Sequence, residues 1–152
     1  MSKTELFSLE NEWRETTIAG NGLFKEAGQE AIFHYENALD AAERLMVFLY
    51  KCIDLRIPVM PMFLISCNNL AAAYSRLGKW DKAEKMLKRG VYYILFLKQK
   101  NLHPQVEPVF SRWLCKQMLH YSEFSLCSGH PEKFRELLNK LKDNGDVGEI
   151  VY

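Results

Sequence analysis

Apolar side chains recur every three to four residues along most of this chain, a period that predicts about six consecutive helices. The pattern is clearest from Cys67 to Gly90, where Cys67, Leu70, Ala71 and Tyr74 share one helical face at i, i+3, i+4, i+7. Leu77-Gly78-Lys79 interrupts it: Gly78 takes the left-handed conformation cheaply, and Asp81 falls in the first turn of the next helix, where a carboxylate complements the positive helix end. Trp80, Ala83, Leu87 and Val91 then form the second stripe. Ala71 and Ala83 are small enough to let two helices joined by so short a turn approach closely.

The remaining segments extend this unit in both directions. A first helix is expected from about Ser8 to Ala27, with Trp13, Ile18 or Ala19, Leu23 and Phe24 facing inward. The second runs from Gln29 to about Leu55 on a stripe of Ala31, Tyr35, Ala38, Ala42, Leu45, Leu49 and Cys52. Phe33, Val47, Phe48 and Tyr50 lie off that stripe, so the second half of this long helix is apolar nearly all round. Pro58 and Pro61 end it and open a third helix that reaches Leu77. The fourth spans Trp80 to Lys100 and carries an unbroken apolar run from Val91 to Leu97. Asn101-Leu102-His103-Pro104 reads as a loop. Pro108 opens a fifth helix with Phe110, Trp113, Leu114, Gln117, Tyr121 and Phe124 on one face; Gly129 stops it, and Pro131 restarts the chain with Phe134, Leu137, Leu138 and Leu141. The domain is expected to cover residues 1–145, with residues 146–152 as a short tail.

The interval Leu70-Ala71, Tyr74, Gly78, Trp80, Ala83, Leu87 resembles the tetratricopeptide repeat (TPR). Cys67 stands where that family commonly has Trp, Gly90 where it has Ala and Leu95 where it has Pro, so the fourth helix runs past the usual end of a repeat. Phe24-Lys25-Glu26-Ala27-Gly28 with Ala31, Tyr35, Ala38 and Leu39 is similar again, one residue short in its turn, and the last two helices make a degenerate third copy. The resemblance implies an all-α, antiparallel helix-hairpin solenoid of about three repeats that binds other proteins, here with extended second and fourth helices.

Composition narrows the classes of partner. The chain has 152 residues, 48% hydrophobic and 26% charged, enough for a substantial core. Twenty basic and 19 acidic residues are intermixed and give a net charge of +1, so no electrostatic footprint for nucleic acid or an anionic membrane is visible. Lys82, Lys85, Lys88 and Arg89 alternate with Asp81 and Glu84, as on a solvated helix face. The N-terminus has no apolar core of signal-peptide length, and no apolar run is long enough to span a bilayer, which leads to a cytoplasmic expectation. Cys52, Cys67, Cys115 and Cys127 are widely spaced and suit reduced, buried thiols.

No catalytic constellation emerges, and the chain is read as a non-enzyme without metal or cofactor. Gly20-Asn21-Gly22 lacks the strand and third glycine of a dinucleotide fingerprint, and its glycines suit close helix packing. His120, Cys127 and His130 fit no zinc spacing; Cys127 reads as core and His130 as a turn residue. One subgroup of the TPR family holds the carboxylates of an acidic C-terminal peptide on the first helix of each pair. By that resemblance Asn21, Asn69 and Lys116 occupy matching positions, with His120 where Arg is usual and Thr17 in place of a Lys. An ammonium and two amides make charge-assisted contacts to a carboxylate, and an imidazole at position 120 implies binding that tightens below about pH 6.5.

Two readings follow. In the first, the chain is a protein-binding adaptor or chaperone-like module, its groove lined by helices one, three and five and contacted through Asn21, Asn69, Tyr74, Lys116 and His120. Small TPR secretion chaperones belong to the same class. In the second it is a self-associating structural protein. The extended halves of helices two and four are expected to pack on each other and on the start of helix three, leaving Phe48, Tyr50, Tyr92, Tyr93 and Phe96 for an isologous homodimer interface.

Overall fold

The structure, a computed structural model, describes residues 1–100 and 107–143. The loop expected at 101–104 and the tail from 146 lie outside the described residues. Seven helices account for nearly all the rest: α1 (Lys3–Leu23), α2 (Gly28–Met46), α3 (Leu49–Asp54), α4 (Val59–Arg76), α5 (Trp80–Gln99), α6 (Glu107–Cys127) and α7 (Glu132–Asp143). The all-α reading holds for these residues. The chain forms two compact units, Met1–Met86 and a second beginning at Leu87, with the boundary inside α5.

In the first unit, α1 starts at Lys3 rather than near Ser8. Ser2 caps it: its hydroxyl accepts from the Glu5 N–H at 3.1 Å, and the Glu5 carboxylate accepts from the Ser2 N–H at 2.7 Å, satisfying two otherwise orphaned donors. The Ser2 N–H bond, supported by the Ser2 hydroxyl, holds the exposed Glu5 carboxyl below its ordinary value. The inward face is Leu6, Leu9, Thr17 and Gly20, and Ile18 points to solvent. Trp13 is half-buried, with its indole N–H donating to the Ser66 hydroxyl of α4 at 2.7 Å.

Helix α2 buries Ala31, Tyr35, Ala38, Ala42 and Leu45 on the expected stripe, and it packs against both α1 and α4. It does not continue to Leu55. The extended second helix is broken after Met46, because the Phe48 N–H turns back to the Leu45 carbonyl at 2.9 Å, a three-residue closure, and Phe48 leaves helical dihedrals at φ −111, ψ 39. The Cys52 N–H then bonds the Phe48 carbonyl at 2.9 Å and begins α3. The break preserves the core: Leu45 and Cys52 are both fully buried, and the Cys52 thiol reaches the Leu45 carbonyl at 3.6 Å.

Left-handed residues end three of the helices in one way. At Arg56, Gly78 and Gly129 (φ 60, 74 and 79), the next N–H bonds the carbonyl five residues back, to Cys52, Tyr74 and Ser125 respectively. Glycine meets this demand without a Cβ penalty, whereas Arg56 carries it as a side-chain-bearing residue. The turn between α1 and α2 is fastened to the end of α4: Arg76 donates to the Lys25 carbonyl at 3.0 Å and lays its guanidinium 5.5 Å from the Phe24 ring centre.

In the second unit, α5 runs to Gln99 as expected and buries Leu87, Val91, Tyr93, Ile94, Leu95 and Leu97. Helix α6 presents Phe110, Leu114, Gln117, Tyr121 and Phe124 inward, and it packs on α7, which contributes Leu137, Leu138 and Leu141. The buried Gln117 amide lies where Gly90 leaves room for it and donates to the Leu87 carbonyl at 3.4 Å.

The four thiols divide evenly. Cys52 and Cys67 are buried, while Cys115 and Cys127 are exposed, so Cys127 is surface rather than core. Burial, with a smaller contribution from Glu10, pushes the Cys52 thiol up and away from reactive thiolate. At low protein concentration and neutral pH, an aromatic disulfide reagent is expected to modify Cys115 and Cys127 rapidly, and Cys52 and Cys67 only after unfolding. Four equal labelling rates in the native protein would contradict this packing.

Candidate protein-binding surface

The residues that the sequence nominates for partner contact fall in both units. Asn21, Asn69 and Tyr74 belong to the first, on α1 and α4; Lys116 and His120 belong to the second, on α6.

In the first unit two of the three are engaged within the fold. The Asn21 side-chain oxygen accepts from the Tyr35 hydroxyl at 2.7 Å, so this residue orients a core tyrosine of α2. One residue further along α2, the Glu36 carboxylate accepts from the Tyr74 hydroxyl at 3.1 Å. Lys82 sits 5.7 Å from the Tyr74 ring centre and covers its face with positive charge. Burial raises the Tyr74 hydroxyl above its ordinary value, and Glu36 adds to the rise because a carboxylate opposes a phenolate beside it. Tyr35 rises through burial alone. Asn69 is half-buried on α4. The Tyr74 hydroxyl is therefore committed to an acidic neighbour, which would oppose an incoming carboxylate at that point.

In the second unit Lys116 and His120 both lie exposed on α6, one turn apart. The Lys116 ammonium stands 5.1 Å from the Trp113 ring centre, which steadies its long side chain without burying its charge. Between and beyond these two residues the helix is not polar. Leu119 is 61% exposed and Leu126 66%, and with the exposed Cys115 and half-buried Ser122 they make an outward row at spacings of four, three and four. Thus α6 has two apolar faces, one buried and one uncovered. The sequence reading marks only the buried one, because the outward row is punctuated by Lys116, His120 and Glu123. The 4-3-4 spacing is the signal that identifies it.

The aromatic residues expected to form an interface separate in a similar way. Tyr50 is 65% exposed and Phe48 half-buried in the first unit; Tyr92 and Phe96 are exposed on α5 in the second, with Lys100 lying 4.8 Å from the Phe96 ring centre. Tyr93 turns inward instead, because it shares the buried face of α5 with Leu97 at i+4. Val47, also off the main stripe, is 77% exposed.

Among the described residues no group of three or more His, Cys, Asp or Glu side chains is placed to hold a metal ion, and no helix is long and apolar enough to cross a membrane. His130 sits in the turn before α7, 3.1 Å from the Glu132 carboxylate.

No curated protein and no solved structure matches the chain. A family model described as "Protein of unknown function (DUF2753)" matches residues 11–142, almost the whole of both units, and the chain belongs to that family.

Proposed function

We propose that this chain is a protein-binding adaptor or chaperone-like module built from TPR-like helical hairpins, and that the outward face of α6 is its principal contact surface. The observation that carries this reading is the exposure of Leu119 and Leu126 in a row beside Lys116 and His120. An uncovered apolar row on an otherwise well-packed helix loses solvation free energy that a partner recovers, and the flanking positive charge selects a partner segment carrying a carboxylate. The repeat-like architecture draws support from the residues at the family's intervals: Leu70, Ala71, Ala83 and Leu87 are buried, and Gly78 turns between α4 and α5 with positive φ. For an acidic C-terminal peptide, Lys116 is the contact in best accord with the geometry, since the Tyr74 hydroxyl is taken by Glu36. The protein acts by binding, without a cofactor and without catalysis.

The test is affinity capture from a lysate of the source organism with wild type, a Lys116→Glu, Leu119→Glu variant and an Asn69→Ala variant, all three checked for native helicity. A partner held by wild type is expected to be lost at least about tenfold with the α6 variant, the effect of roughly 1.4 kcal/mol. Loss with Asn69→Ala alone would move the contact to the first unit. Equal capture by all three would remove α6 from the binding surface and direct attention to Tyr92 and Phe96.

A further inference from the structure

We infer that the outward face of α6 pairs with the same face of a second copy of this chain, the two helices running antiparallel about a two-fold axis that passes between Leu119 and Ser122. This rests on the reading of α6 as the protein-binding face and names its partner. Three features of the row support it.

The first is spacing. Cys115, Leu119, Ser122 and Leu126 follow each other at intervals of four, three and four, the repeat that keeps one seam facing a partner helix. A groove for an extended peptide needs no such period. The second is self-complementarity, which an isologous contact demands because each residue meets the one at equal distance from the axis. An axis between 119 and 122 sets Leu119 against the partner's Ser122 and Cys115 against the partner's Leu126, a large side chain against a small one in both layers. Two leucines per helix thus interdigitate instead of colliding. The third is charge. Lys116 flanks the row before the axis and Glu123 flanks it on the same edge after the axis, about 3 Å nearer to it at 1.5 Å per residue, within reach of a lysine side chain; both are exposed, and neither has an ion pair to the other or to any neighbour among the described residues. Antiparallel pairing sets Lys116 beside the partner's Glu123 twice over. Parallel pairing instead sets each row against its own copy, Leu119 on the partner's Leu119 and Leu126 on the partner's Leu126, and puts Lys116 and the partner's Glu123 on opposite edges of the seam, where they cannot pair.

The seam covers about three helical turns, close to 16 Å at 1.5 Å per residue, so the dimer is small and reversible.

Sedimentation of the full chain from about 1 to 500 µM tests this directly. The expected result is a monomer that becomes a dimer across the range, with labelling of Cys115 slowing as the dimer forms while labelling of Cys127 does not. Leu119→Glu, an exposed substitution, is expected to weaken dimerisation at least about tenfold. Lys116→Glu and Glu123→Lys are each expected to weaken it several-fold, and the double variant, which restores opposite charges across the axis, to return to within about twofold of wild type. The rescue separates this arrangement from any loss of folding. A monomer at every concentration would overturn the self-pairing. So would a dimer indifferent to Leu119→Glu, or two damaging single reversals that the double variant fails to rescue. These outcomes are distinct from failure of the binding reading itself: a monomer that still captures a protein through Leu119 keeps α6 as a binding face and removes only the second copy.

Discussion

Gly20→Val is expected to lower the stability of the chain by about 2–3 kcal/mol, whereas Gly22→Ala, two residues further on the same helix, is expected to raise it by about 0.5–1 kcal/mol. A Cβ at Gly20 would lie 2.5 Å from one Tyr35 ring carbon and 2.6 Å from the next, closer than such atoms come in folded proteins. The ring has little room to yield. Tyr35 is buried at the seam of α1 and α2, and its hydroxyl is anchored to Asn21, so moving the ring breaks a 2.7 Å hydrogen bond and disturbs that buried seam. Valine's higher helix propensity offsets only about 0.4 kcal/mol of this. At Gly22 an added Cβ meets no atom within 4 Å, so alanine changes only the backbone entropy of the unfolded chain and the helix preference. Urea unfolding followed by circular dichroism measures both. A Gly20→Val protein as stable as wild type would mean that Tyr35 has a second seat and that the glycine is not required by the seam.

That glycine also illustrates what can be read from the chain without its structure. Close helix packing at Gly20-Asn21-Gly22 is legible from residue size, yet which of the two glycines bears the contact depends on where Tyr35 comes down, a tertiary fact. The turn at Gly78 and the stripes of α4, α5, α6 and α7 are legible because each buries a single face and is bounded by Gly or Pro. The break at Val47 and Phe48 is not. Leu45 and Cys52 are seven residues apart and both fully buried, so a 3.5-residue period passes through the interruption unchanged. Sequence periodicity records which residues are inside but not whether the backbone between them is continuous. The early start of α1 was available in Ser2-Lys3-Thr4-Glu5, a capping-box spacing, but Leu6 and Leu9 alone make a weak stripe from which to read inward orientation. Of the nominated contact residues, Lys116 and His120 lie on one exposed helix face, as their four-residue spacing implies. Asn21 and Tyr74 could not have been recognised as engaged, since their partners Tyr35 and Glu36 come from a different helix.

The second large effect is expected from Gln117→Glu, a change of one amide to one carboxylate. Gln117 is 2% exposed, and its side-chain N–H donates to the Leu87 carbonyl at 3.4 Å in a space that Gly90 leaves open, where even a Cβ would lie 2.6 Å from the amide nitrogen. Glutamate places an oxygen where that donor stood, facing another acceptor, and carries a charge that no water can reach. Burying it costs about 3 kcal/mol or more near neutral pH, since the group loses hydration and gains no donor from Leu87. Desolvation raises the folded-state pKa of the introduced carboxyl above its unfolded value of about 4.3. A raised folded value means that stability is fully present below the unfolded pKa, where the group is protonated in both states, and is lost as pH rises through the folded value. The penalty relative to wild type should therefore shrink as pH falls from about 8 to about 5. Gln117→Leu keeps the volume and introduces no titrating group, so its cost should be the same at every pH. Urea unfolding at a series of pH values separates the two. A Gln117→Glu penalty that stayed constant with pH would mean that the carboxylate finds water, in which case the narrow space beside Gly90 does not fix the side chain of Gln117 against α5.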